Sequence, residues 1–126
     1  MIAILEKMWR PITSGMTSWY ETKMFIEHAS VVSSDALHVL VGTLLWALVA
    51  VVLRRSLSAS RPWLVLLALT VLNEGVDLWV ERWPDLAMQF GESAKDVLLT
   101  MTLPTMLMVA VRVRPNLFRA SSARRR

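Results

Sequence analysis

Residues 71–96 read VLNEGVDLWVERWPDLAMQFGESAKD. An apolar helix is predicted from Pro62 onward, and near its end it carries Asn73, Glu74 and Asp77. A polar turn follows, and the next apolar helix opens with Glu92 and Asp96. Ionisable groups at the ends of membrane-length segments are costly, so they mark functional candidates.

Working outward, the chain divides into apolar and polar blocks. Residues 36–53 form a first apolar run with His38 as its ionisable group. Eighteen or so residues can just cross a hydrocarbon core of about 30 Å. Ser33 and Ser34 precede Asp35 and offer alternative N-caps. Arg54 and Arg55 stop the run, and the connector SLSAS is short and polar. The second run spans residues 62 to about 80; Pro62 is tolerated in a first helical turn. Trp63 falls where an interfacial anchor belongs, and Trp79 and Trp83 mark the opposite interface. The third run spans about 94 to 111, with Pro104 near its middle and Arg112 and Arg114 after it. Pro104 should bend that helix, and Thr100 or a neighbouring helix could satisfy the freed carbonyl.

Residues 1–34 read differently. Ile2, Leu5, Trp9 and Ile12 follow a helical spacing until Pro11 ends or kinks the helix. A second amphipathic stretch covers residues 17–29. Neither is apolar enough to span, and the segment lacks the pattern of a secretory signal. An interfacial position suits their Trp and Tyr residues, and packing on the protein's own helices suits them equally. The expected fold class is therefore all-α: a polytopic membrane protein of three transmembrane helices plus an N-terminal amphipathic segment. The expected organisation is an interfacial segment over 1–34, a three-helix membrane domain over 35–114 and a basic tail over 115–126.

Charge placement orients the bundle. The loop 54–61 and the tail from Arg112 hold nine of the fourteen Lys and Arg and none of the ten Asp and Glu. The positive-inside rule then puts that loop and the C-terminus in the cytoplasm. The N-terminus and residues 81–93, read as a loop, fall outside. Basic residues that cap apolar helices make nucleic acid an unexpected partner. With no cysteine, thiolate metal sites and disulfides are excluded.

Depth along the helices groups the polar residues. At 1.5 Å per residue, His38 lies roughly 22 Å from Leu53, Asp77 roughly 22 Å from Pro62, and Asp96 roughly 22 Å from Val111. Spacings of three and four put Asp35, His38 and Gly42 on one stripe. Glu74, Asp77 and Glu81 form another, and Glu92, Asp96 and Thr100 a third. Turned inward, these stripes predict an outer-leaflet pocket of Asp35, His38, Asn73, Glu74, Asp77, Asp96 and Thr100. Carboxylates with an imidazole can bind a divalent cation or move protons. The alternative is polar glue, with His38 bonded to Asp77 or Asp96 merely to hold the helices together. Trp46, Met101, Met106 and Met108 read as packing residues.

At these positions the chain resembles the VanZ-like family of bacterial membrane proteins. That pattern places Asp and His three apart at the start of one span, a Glu followed three later by Gln at the end of the next, and Ser and Asp three apart opening another. Asp35 and His38, Glu74 and Asp77, and Ser93 and Asp96 occur here in that order. Asp77 replaces the usual Gln and Thr100 the usual Asn. Phe90 stands near the family's Arg, and residues 1–34 replace an apolar first span. The resemblance implies a cell-envelope role. The expected function is thus binding of, or action on, an envelope component; the rival is a non-catalytic accessory subunit of a larger membrane complex. Membrane lipids, further copies of the chain or a membrane-protein partner are the expected associates, because three short helices enclose little space.

Overall fold

A computed structural model describes residues 2–116, with side chains from Glu6 onward. Most of the basic tail predicted over 115–126 lies outside the described residues. The described chain is all-helical: α1 Ile2–Ala29, α2 Ser34–Val52, α3 Ser60–Val80 and α4 Leu86–Val113. The helices α2, α3 and α4 are long and apolar enough to cross a membrane.

Local chemistry explains most boundaries. The Ser33 side chain accepts the Ala36 amide at 3.3 Å, capping α2, and Asp35 lies in the first turn where the helix dipole favours an anion. At the other end Arg54 adopts a left-handed φ of 50°. The Arg55 amide then reaches the Ala50 carbonyl and the Arg54 amide the Val51 carbonyl, each within 3.0 Å. This is the Schellman arrangement, which satisfies the last carbonyls as the chain turns. In α3, Pro62 sits in the first turn, where an amide hydrogen would have no intrahelical acceptor.

Two sequence expectations need correction. Pro11 does not divide the N-terminal segment; α1 is one helix of 28 residues running through it. Pro11 leaves the Lys7 carbonyl without its amide donor, but Lys7 and Pro11 are exposed, so solvent or headgroups can satisfy it. Residues 86–93 are not loop, because Asp85 accepts the Ala87 and Met88 amides at 2.8 and 3.4 Å and starts α4 there. The resulting helix of 28 residues is about 42 Å long, roughly eight residues more than a 30 Å core requires. Trp63 packs against the core and donates to the Thr105 hydroxyl at 2.8 Å.

The helices α2, α3 and α4 pack on one another, most extensively α2 on α4. Their core consists of Trp46, Leu66, Met101 and Met108, with Pro62 and Pro104 also fully enclosed. Trp46, Met101 and Met108 thus pack inside, whereas Met106 is exposed. Pro104 lies within α4, which remains helical around it. The carbonyl it deprives of a donor belongs to Thr100. That carbonyl faces Gly42 of α2. Arg112 donates to the Ser58 carbonyl at 2.7 Å, placing the end of α4 beside the basic connector. The polar stripes therefore gather at the opposite end.

Helix α1 packs on α3. Trp19 donates to Asn73 at 3.0 Å, Lys23 pairs with Asp77, and the Tyr20 hydroxyl donates to Glu81 at 2.5 Å. All three ties come from one turn of α1. Earlier residues such as Met8, Trp9 and Ile12 are exposed.

Candidate polar pocket

Three helices deliver the pocket's central groups. His38 stands one turn into α2, Glu74 near the end of α3, and Asp96 about three turns into α4. One ligand atom from each lies within 4.8 Å of the others. They face a cavity of about 210 Å³. Six carboxylates line it (Glu27, Glu74, Asp77, Glu81, Glu92 and Asp96), against Lys23 and His38 as the basic groups.

Thr100 and Asp96 engage the two ring nitrogens of His38. The Thr100 hydroxyl lies 2.8 Å from the Asp96 carbonyl and 3.1 Å from His38 Nδ1, so it holds the ring in place. His38 Nε2 then faces Asp96 Oδ2 at 3.5 Å. An imidazole and a carboxylate so placed can share a proton or hold a cation between them. Glu74 completes the group. It is 4% exposed and accepts from Asn73 at 3.2 Å and from Ser93 at 3.1 Å. His38, Glu74 and Asp96 are therefore arranged to hold a divalent cation or a proton, with Thr100 fixing the ring nitrogen that points inward.

The remaining predicted residues take distinct places. Asp77 lines the cavity and is neutralised by Lys23, while its Oδ1 is buried without a hydrogen-bond partner. Asn73 bridges Glu74 and Asp77 through its amide group and accepts from Trp19. Asp35 does not line the cavity. Its exposed carboxylate receives Lys95 at 3.1 Å, and Lys95 also bonds Glu92. Position 35 begins α2 a turn beyond His38, so its side chain stays at the rim.

Several participants were not legible as site residues. Lys23, Met24 and Glu27 close one side of the pocket from α1, and Trp19 and Tyr20 tie that helix to Asn73 and Glu81 of α3 and its end; their helical spacing alone named no partner. Gln89 is 6% exposed and donates to the Glu81 carbonyl at 2.8 Å, closing the α3–α4 turn. Its spacing of four from Ser93 extends the α4 stripe, a signal lost by reading residues 86–93 as loop. Near Glu81, the Tyr20 hydroxyl is pushed up to about 12, first by burial and then by the hydrogen bond and negative charge of Glu81.

No family model, curated protein or solved structure matches this chain.

Proposed function

We propose that the chain is a small integral protein of a bacterial inner membrane that binds or acts on a cell-envelope component through an outer-leaflet pocket. The convergence of His38, Glu74 and Asp96 from three apolar helices supports this function. Here an imidazole, two carboxylates and their positioning hydroxyls surround open space. His38 and Asp96 hold a proton or a cation at the centre, Glu74 supplies a second carboxylate, and Thr100 and Ser93 orient them.

The VanZ-like pattern is consistent with this role. Its three residue pairs meet one another: Ser93 bonds Glu74, and His38 faces Asp96. The Arg of that pattern is absent, but Lys23 brings a cation to the same cavity from α1. Asp77, present in place of Gln, is the residue that Lys23 neutralises.

Asp96→Asn, Glu74→Gln and His38→Ala test the proposal in cells and in detergent. Asn and Gln retain size and hydrogen bonding but lose charge. Their fold stability should fall by no more than the roughly 1–2 kcal/mol typical of polar contacts in membranes. Envelope integrity of a strain carrying only the variant should drop to that of the deletion strain. Full function in all three variants would leave the cluster as structural glue.

The exposed Met8, Trp9, Ile12 and Phe25 on α1 favour a second reading, in which the chain is an accessory subunit docked through that helix. A stoichiometric partner retained through mild-detergent purification would support it.

A further inference from the structure

The centre of the pocket carries negative charge that the chain leaves unbalanced. Six carboxylates line the cavity, against Lys23 and His38. Lys23 is committed to Asp77, and Lys95 holds its ammonium on Asp35 and Glu92. Among the described residues, Glu74 and Asp96 pair with no lysine or arginine. Both lie in helices long and apolar enough to span, and Glu74 is buried. Isolated carboxylates are costly in such a place. One shared proton cancels one of the two charges, whereas a divalent cation cancels both.

The geometry favours the metal over the proton. Two atoms bonded to Zn²⁺ at about 2.0–2.2 Å and set at a tetrahedral angle stand roughly 3.3–3.6 Å apart. His38 Nε2 and Asp96 Oδ2 are 3.5 Å apart. A charge-assisted N–H···O bond would draw them to about 2.7–2.9 Å. Glu74 completes the set, one atom of each residue lying within 4.8 Å of the others. Each Glu74 oxygen accepts one hydrogen bond, from Asn73 or from Ser93, and retains a further lone pair for a cation.

The surroundings resemble the support that metal ligands need. Thr100 occupies Nδ1 of His38, which leaves Nε2 as the ligating atom, and Ser93 and Asn73 orient Glu74. In the wall of the same cavity, Asp77 Oδ1 is buried without a hydrogen-bond partner. A metal-bound water would supply the missing donor. The ligand set also selects the ion. Mg²⁺ and Ca²⁺ require six or more oxygens, whereas one imidazole with two carboxylates suits a borderline ion. Asp35, Glu92 and Asp96 form a second group of the same spacing, but Lys95 already bonds Asp35 and Glu92. One ion per chain is therefore expected.

We propose that His38 Nε2, Glu74 and Asp96 form a mononuclear site for a borderline divalent metal ion of the Zn²⁺ class, with its fourth position open to the cavity. This deepens the proposed function and rests on that pocket being a ligand site. The fourth position takes water or an oxygen of the envelope component.

The full chain, purified in detergent without a histidine tag and treated with a chelator, is titrated with Zn²⁺, Mg²⁺ and Ca²⁺ by calorimetry. Native mass spectrometry counts the ions retained. The expected result is one Zn²⁺ per chain, bound at least about a hundredfold more tightly than Mg²⁺ or Ca²⁺. His38→Ala, Glu74→Gln and Asp96→Asn should each abolish this binding. Thr100→Val, a change at a positioning residue, should weaken it by about 10–100-fold, and Thr100→Ser should retain it. Asp35→Asn lies outside the cavity and should leave affinity and stoichiometry unchanged. Zn²⁺ held no more tightly than Mg²⁺ by the unsubstituted chain overturns the proposal, whether or not any variant folds. So does Zn²⁺ binding that survives all three ligand substitutions, or that is lost in Asp35→Asn. Loss of envelope function in the ligand variants, with no Zn²⁺ bound by the unsubstituted chain, would remove the metal and keep the pocket. Zn²⁺ bound as expected, with unimpaired function in those variants, would keep the metal and remove the proposed function.

Discussion

Gly42 of α2 lies directly against the backbone carbonyl of Thr100 in α4. A methyl group at position 42 would stand 2.7 Å from Thr100 Cγ2 and 3.0 Å from the carbonyl carbon, and closer still to its oxygen. Pro104 has freed that carbonyl from its helical bond, and the missing side chain of Gly42 lets α2 approach it. The same Thr100 holds His38 Nδ1, so the closest helix approach and the pocket share one residue.

Gly42→Ala should therefore destabilise the bundle by about 1–3 kcal/mol, the usual cost of overpacking, because the obstacle is backbone and cannot rotate away. Thermal melts in detergent check the magnitude. Adding Thr100→Ser removes Cγ2 but not the carbonyl, so it should recover part of the loss at most. An unchanged melting temperature for Gly42→Ala would show that the helices do not meet this closely.

Tyr20 is the chain's single tyrosine, so its ionisation can be followed directly by tyrosinate absorbance. It should titrate near 12, above the ordinary value of 10.0. A phenol with a raised folded value keeps its proton while the unfolded chain loses one. The tie between α1 and α3 thus weakens as pH rises from about 10 toward 12. Glu81→Gln removes the charge facing the phenol and should bring the titration down. A midpoint near 10 in the unsubstituted protein would mean that Tyr20 does not meet Glu81.

Lys23 and Asp77 neutralise each other beneath α1. Lys23→Met leaves a carboxylate with one oxygen already unpartnered, and should loosen α1. Asp77→Asn in the same chain should restore most of the stability, since no charge is then left alone. Limited proteolysis within α1, with melting temperature alongside, measures both effects. Additive losses in the double variant would rule out direct coupling.

Orientation is tested by single-cysteine labelling, which the absence of native cysteines makes clean. Cysteine at Ser58 or Ser122 should be shielded in intact cells, and cysteine at Asp85 should label from outside. Labelling at Ser58 in place of Asp85 would invert the protein and move the pocket to the cytoplasmic side.

The sequence by itself determined the helical class and the three apolar helices, because membrane-length runs bounded by Arg and Pro have few other solutions. It also placed His38, Asp77 and Asp96 at a common depth, with Glu74 about a turn deeper, since a helix converts residue number into height at a fixed rise. Height is one coordinate only. Rotation of each helix about its axis depends on side-chain packing between helices, here the Trp46, Leu66, Met101 and Met108 core and the Gly42–Thr100 approach. That packing decided that Asp96 meets His38, that Asp35 stays at the rim, and that Thr100 sets the imidazole. Local patterns also failed where a single cap or a distant partner prevailed. Asp85 started α4 eight residues before its apolar run, and the ties of Trp19, Tyr20 and Lys23 to α3 and its end set α1 against the pocket. Those ties join residues more than fifty positions apart, and no helical period encodes which surface a neighbouring helix will cover.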